Sequence, residues 1–233
     1  MLTEPAACLL DRLSKDIIMI QRGNVNRAFP DLNQMFHVTG KEIIMFNRAR
    51  IPYEKYYTTD RFGRQGKQYH RHCGPTAAVN VFATILAVRD ARTESDRVDE
   101  LFRDFIDSAQ KWLIYINADL FGYFGGTLDI RAGEFLRRCA RICGMNSISV
   151  SRRRRMNQRE MLAALKRGSI LYLELTGRTR YGRHHMVCYG ARVPAVKGPP
   201  LFRIADGWSA KPVYMRYEDL GRGFFIEVSC PRP

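Results

Sequence analysis

A helix that is apolar on nearly every side has to be enclosed, and residues 75 to about 92 predict one. Ala77, Ala78, Val81, Phe82, Ile85 and Leu86 leave no wide polar face for solvent. Pro75 suits its first turn, where a missing N–H removes no intrahelical bond. Such a helix needs other layers around it. A chain of 233 residues, 45% hydrophobic and 26% charged, has enough apolar material for one domain, with or without an extension.

The neighbouring segments supply candidates for those layers. A second helix is expected from about residue 96 to 114, with Val98, Leu101, Phe102, Phe105, Ile106 and Leu113 on one face. A glycine-containing loop at 122–126 ends it, and a third helix follows from Asp129 to Ile142, stopped by Gly144. After Gly144 the pattern changes. Residues 147–151, 169–175, 186–192, 201–205 and 224–228 read as strands, interrupted by a short helix at 157–166 that Asn157 and Glu160 would cap. Helices first and antiparallel strands second predict an α+β fold with its layers meeting at a cleft. Residues 5–21 have amphipathic helical spacing, so the expected organisation is an N-terminal helical extension over 1–50 and a catalytic domain over 51–233.

Cys73 stands at the start of the enclosed helix, in His72-Cys73-Gly74-Pro75-Thr76-Ala77-Ala78. A helix start is a good place for a thiolate, because unpaired N–H groups and the helix dipole favour the anion. Gly74 lets the backbone come close beside it, where main-chain N–H groups can serve an oxyanion. Downstream, His184-His185 opens the apolar strand Met186 to Gly190, and Asp206-Gly207-Trp208 ends the next. A thiol, an imidazole and an acid are the parts of a nucleophile system that works through a covalent thioester. Adjacent strand residues face opposite sides, so one histidine of the pair is expected to meet Cys73.

These three segments together resemble the papain-like cysteine peptidases, and among them the bacterial branch that includes the bacteriocin-leader peptidases. Cys73-Gly74-Pro75-Thr76-Ala77-Ala78-Val79-Asn80 is similar to the nucleophile motif, His184 to Gly190 to the histidine motif, and Asp206-Gly207-Trp208-Ser209 to the third, over about residues 65–229. The resemblance implies a papain-like fold, with the nucleophile helix packed on a C-terminal antiparallel sheet. It implies cleavage of an amide bond in a peptide or protein by a Cys73–His184–Asp206 triad, with Trp208 shielding the base–acid pair. Its usual spacing, counted back from Gly190, favours His184 as base, with His185 as the alternative. It also implies an oxyanion glutamine before the nucleophile, for which Gln68 is preferred to Gln65.

The remaining features modify this reading. The net charge of +15 attracts polyanions, and Arg152 to Arg155 form the one true run, expected in a solvated loop that makes non-specific polyanion contacts peripheral to catalysis. Six scattered cysteines form no disulfide framework, and Cys139 with Cys143 is expected on a buried helix face. His70-x-His72-Cys73 could start a zinc site, but ligation would consume the thiolate and leave Asp206 without a role, so no metal or cofactor is expected. No run approaches the roughly 18 apolar residues of a membrane span, and no secretory signal is read at the N-terminus. A cytoplasmic location follows as an expectation, and non-classical export would leave no mark at this level. Two other functions share the same residues. One is acyl transfer to an amine, as in transglutaminase-like enzymes; the other is an inactive papain-like protein that binds polyanions.

Overall fold

Strand positions in the second half of the chain alternate between two apolar faces, and this alternation places every layer. The computed structural model describes residues 41–45, 57–63, 69–86, 91–120, 124–177, 179–194 and 198–229. In chain order these form β1 (Lys41–Met45), α1 (Thr59–Gly63), α2 (Cys73–Leu86), α3 (Ala91–Lys111), β2 (Tyr115–Leu120), β3 (Phe124–Thr127), a 3-10 turn (Asp129–Arg131) and α4 (Ala132–Ile142). There follow β4 (Ser149–Val150), β5 (Arg154–Arg155), α5 (Gln158–Lys166), β6 (Ile170–Thr176), β7 (Arg183–Pro194), β8 (Leu201–Ala205), β9 (Val213–Arg216), α6 (Tyr217–Leu220) and β10 (Gly223–Ser229).

The main sheet runs β4-β10-β6-β7-β8-β9, and all its pairings are antiparallel. β1 lies along β7, with Met45 opposite Gly190, and β5 pairs with β10. Ile170 and Tyr172 of β6, Val187 and Tyr189 of β7, and Ile226 and Val228 of β10 face a core shared with α2, α3 and α4. The intervening Leu171, Leu173, Leu175, Met186, Cys188 and Phe225 face the opposite core, closed by Met161, Ala164 and Leu165 of α5. β6 is buried on both faces, which is why it reads as an apolar run and not as an alternation. The fold is α+β around an antiparallel sheet, as expected. Among the described residues no helix is long and apolar enough to cross a membrane.

Several element boundaries differ from the sequence expectations. Lys41–Met45 falls within the segment read as an extension, yet it pairs with β7 of the main sheet. The helix expected at 5–21 lies outside the described residues. α3 ends at Lys111, three residues earlier than its spacing suggested, and Leu113 takes a positive φ of 53°. That reversal turns Leu113 out of the core, 70% exposed, and starts a two-stranded ribbon of β2 and β3 where a plain loop was expected. The cap of α5 forms as read, with Asn157 Oδ1 accepting from the Glu160 N–H at 3.1 Å.

α2 is fixed along its length by polar clamps within its apolar surroundings. Asn80, 2% exposed, accepts from the Tyr57 N–H at 3.0 Å and donates to the Tyr57 and Thr76 carbonyls at 2.9 and 3.1 Å. Tyr189 of β7 donates to the Asn80 carbonyl at 3.1 Å, tying the helix to the strand. Replacing Asn80 by alanine removes its hydrogen bonds to the buried main chain of Tyr57 and is expected to destabilise the fold by about 2–3 kcal/mol. Urea denaturation measures this, and a loss within experimental error would show that the clamp carries no load.

Candidate active site

Cys73 is the first residue of α2, and the chain turns sharply into it. Arg71 has φ 53°, an uncommon conformation for a residue with a side chain. His72 is turned inward, its Nδ1 3.1 Å from Thr76 Oγ1 and its ring edge-on to Phe102. Tyr172 of β6 reaches the Gly74 carbonyl at 3.4 Å, so the sheet holds the helix start directly. Gly74 is needed here, because a Cβ at that position would lie 2.1 Å from Thr127 Oγ1 and 3.1 Å from His185 Nδ1. Gly126 has φ 90° and lets the β2–β3 ribbon close on Arg71, where a Cβ would stand 3.0 Å from the Arg71 carbonyl oxygen.

The face of β7 that meets α2 carries His185, Val187 and Tyr189, because cross-strand and alternate residues share a face. Cys73 Sγ lies 3.7 Å from His185 Nδ1. On the far side of the ring, His185 Nε2 is 3.2 Å from Asp129 Oδ1, and Asp129 Oδ2 is 3.2 Å from the guanidinium of Arg183. A thiol, an imidazole and a carboxylate therefore stand in line. Asp129 reaches this place from the 3-10 turn that follows the ribbon.

The electrostatics follow from that line. Burial pushes the Cys73 thiol up, but His185 and, after it, His184 outweigh burial and hold it well below its ordinary value. Burial likewise opposes the charge on His185, yet Cys73 and Asp129 raise it well above the ordinary imidazole range. Asp129 is lowered by His185 and Arg183 against its own burial. These opposite shifts favour a thiolate facing an imidazolium. The contrast with the other described cysteines is sharp. Burial drives Cys143 and Cys188 up to about 12 and Cys139 well above its ordinary value, so these remain inert thiols. Cys139 is fully buried on the inner face of α4, as the spacing suggested.

The expected pairing of His184 with the Asp206 carboxylate is not what the structure brings together. His184 Nε2 meets the Asp206 backbone carbonyl, and its ring stacks on Tyr181 at 5.8 Å and lies tilted against Trp208 at 4.9 Å, the two neighbours themselves 4.7 Å apart. The Asp206 carboxylate instead closes its own turn. Oδ1 accepts from the Trp208 and Ser209 N–H groups at 3.0 and 2.8 Å, and Oδ2 accepts from the Tyr181 hydroxyl at 3.1 Å. The physical reason is strand parity: spacing along the chain does not say which face meets α2, and the odd-numbered residues of β7 do. His185, the alternative base, therefore takes the position in line with Cys73, and Asp129 stands where Asp206 was expected. Sequence reading missed Asp129 because an acid at a helix start is ordinary, and its partner lies far along the chain. Gln68 and Gln65 lie outside the described residues.

The arginine run also differs from its expected solvated loop. Arg154–Arg155 is β5, paired with β10. Arg153 lies 3.4 Å over the Phe224 ring and pairs with Glu174, which is fully buried. Arg154 pairs with Glu227 at 2.9 Å and lies over Phe225. Two of the four charges are thus matched within the fold, and Arg152 and Arg155 remain exposed. Glu174 sits directly across the strand pair from His185, with one carboxylate oxygen lacking a hydrogen-bond partner among the described residues.

Around the thiol opens a cavity of about 910 Å³. Its lining includes Thr127, Leu128 and Ile130 on one bank, with Tyr181, His184 and Trp208 on the other. Comparison with models of known protein families finds no match, and comparison with curated proteins finds none either.

Two outcomes test this geometry without any substrate. The alkylation rate of Cys73 by iodoacetamide against pH reports its thiolate. His185→Ala removes the dominant counter-charge while burial remains, so the midpoint should rise by about one pH unit or more, and His184→Ala should raise it less. The reverse ranking would make His184 the partner. Gly74→Ala should slow alkylation at neutral pH by about tenfold, because the methyl group displaces Thr127 and His185; a rate equal to wild type would show that the contact can relax.

Proposed function

We propose that the protein is a cysteine peptidase in which Cys73 is the nucleophile, His185 the acid and base, and Asp129 the residue that orients His185. The observation that carries this reading is the line from Cys73 Sγ to His185 Nδ1 at 3.7 Å and from His185 Nε2 to Asp129 Oδ1 at 3.2 Å. The Cys73 thiolate attacks the carbonyl carbon of the scissile amide and forms a C–S bond, leaving a tetrahedral oxyanion. The N–H groups of Cys73 and Gly74 are the first-turn donors that could serve that charge, since Pro75 has none and the Thr76 N–H is bonded to the His72 carbonyl. The C–N bond breaks as the His185 imidazolium gives its Nδ1 proton to the leaving amine. Neutral His185 then takes a proton from water, the hydroxide equivalent adds to the thioester, and the C–S bond breaks to release the acid and restore the thiolate. Asp129 supports the imidazolium at each stage.

A papain-like fold is part of the proposal. It is supported by the Cys-Gly-Pro helix start, by an antiparallel sheet facing that helix, and by the use of Nδ1 toward sulfur. The chain order of the triad, Cys73, Asp129, His185, departs from the order the resemblance implied, in which the acid follows the histidine. An amine in place of water would make the same machinery a transferase.

Digestion of a defined synthetic peptide library, with products read by mass spectrometry, tests the reading. Wild type should release new C-terminal carboxylates, Cys73→Ala should release none, and Asp129→Asn should lower kcat/KM by on the order of a hundredfold. Asp206→Asn should lower it far less, since its carboxylate closes a turn. Cleavage by Cys73→Ala would end the proposal, and an amide formed with added amine in place of the carboxylate would redirect it to acyl transfer.

A further inference from the structure

The described residues include six large apolar side chains left exposed, and they are not scattered. Trp112, Leu113, Ile116, Leu128 and Ile130 lie on one ridge, and Trp208 lies on the facing bank of the cleft. Exposures of 70% at Leu113 and 86% at Ile130 are unusual for such residues when they adjoin one another. The ridge is built, not loose. Ile116 pairs with Gly126, the Leu128 N–H bonds the Ile114 carbonyl at 2.8 Å, and Arg131 donates to the Trp112 carbonyl. Arg138 lies 3.8 Å over the Trp112 ring and fixes its plane. Leu113 is held outward by a backbone with φ 53°, a conformation glycine or asparagine would adopt at less cost. Among the described residues this strained turn displays its leucine to solvent and does not pack it.

The ridge runs into the cavity, because Ile116, Leu128 and Ile130 line the same space as Cys73. Its border is basic. Arg71, Arg131, Arg138 and Arg183 lie around it, and of the acids whose pairings are described there, Asp129 is engaged by His185 and Arg183 and Glu134 by Arg131 and Arg138. A second copy of the chain would bring another net charge of +15 against this border, which disfavours self-association.

We propose that this ridge is the docking surface for the protein substrate, and that it recognises a segment with two or more bulky apolar side chains flanked by acidic residues, lying outside the bond that is cut. The inference rests on the peptidase reading for the word substrate, but the surface can be tested without turnover. Immobilised Cys73→Ala protein is challenged with synthetic dodecapeptides that vary apolar content and charge independently. Apolar, acid-flanked peptides should be retained about tenfold better than polar or basic ones. The double variant Leu113→Gly with Ile130→Ser, on the same Cys73→Ala background, should lose that preference. Ile130→Ser alone, at a side chain already in solvent, serves if the double variant fails to fold. Equal retention of all peptides, retention of none, or a preference that survives the substitutions would overturn the proposal. So would loss of binding to anionic phosphatidylserine vesicles in the variant with peptide retention unaltered, which would make the ridge a membrane contact. Peptide retention without any cleavage by the wild-type protein would leave the docking surface standing and remove the peptidase reading.

Discussion

The contact between the Cys73 thiol and the His185 imidazole joins residues 112 apart in the chain, and the packing of α2 on β7 exists to make it. Everything around that contact constrains it. Tyr172 holds the Gly74 carbonyl, Tyr189 holds the Asn80 carbonyl, and Gly74 allows the approach. A thiolate and an imidazolium this well enclosed stabilise one another against burial that disfavours each charge alone. Removing either partner therefore leaves an uncompensated buried charge, or forces the remaining group neutral. The reactive state is a property of the packing, not of the cysteine.

The enclosed helix, its cysteine and most of the strands were legible in the sequence because each rests on local information. The apolar surface of α2, the apolar runs of β7 and β10 and the Asn157 cap are set within a few residues. Strand parity was not legible. His184 and His185 are equivalent in composition and spacing, and only the pairing of β6 with β7 and the packing of Tyr172 and Val187 on α2 decide which of them faces Cys73. Asp129 was hidden for a related reason. Its function depends on a ribbon whose strands are interrupted by Gly125 and Gly126, residues that read as loop, and on a reversal at Leu113 that helix periodicity did not foretell. Misreading α3 by a few residues removed the ribbon, and with it the element that delivers the acid.

The arginine run shows how charge in a basic protein can be misassigned by position. Four consecutive arginines suggest a solvated face, yet Arg154 and Arg155 form an edge strand, and Arg153 and Arg154 pair with Glu174 and Glu227. Glu174 explains why. Its carboxyl is raised by burial, and the Arg153 guanidinium and His185 both act to keep it charged. A buried glutamate in the middle strand of a sheet is tolerated only with a partner. Arg153 supplies that partner from the edge, its planar head also lying on Phe224. The run is thus partly a structural device whose far end is electrostatically linked to the base of the candidate triad.

Two histidines at the mouth of one strand divide the work between them because β7 is pleated. The one on the α2 side is aligned by Asp129 and faces the sulfur. The other packs against Tyr181 and Trp208 with its Nε2 on a backbone carbonyl, and it lowers the thiol's pKa less than His185 does. The Asp206 carbonyl holds the His184 ring in orientation but is no carboxylate. Proton transfer to a leaving group needs a ring that can hold its charge between steps, and only His185 has a carboxylate behind it. His184 stands beside it in the cleft wall against Tyr181 and Trp208, where its ring shapes the space next to the thiol.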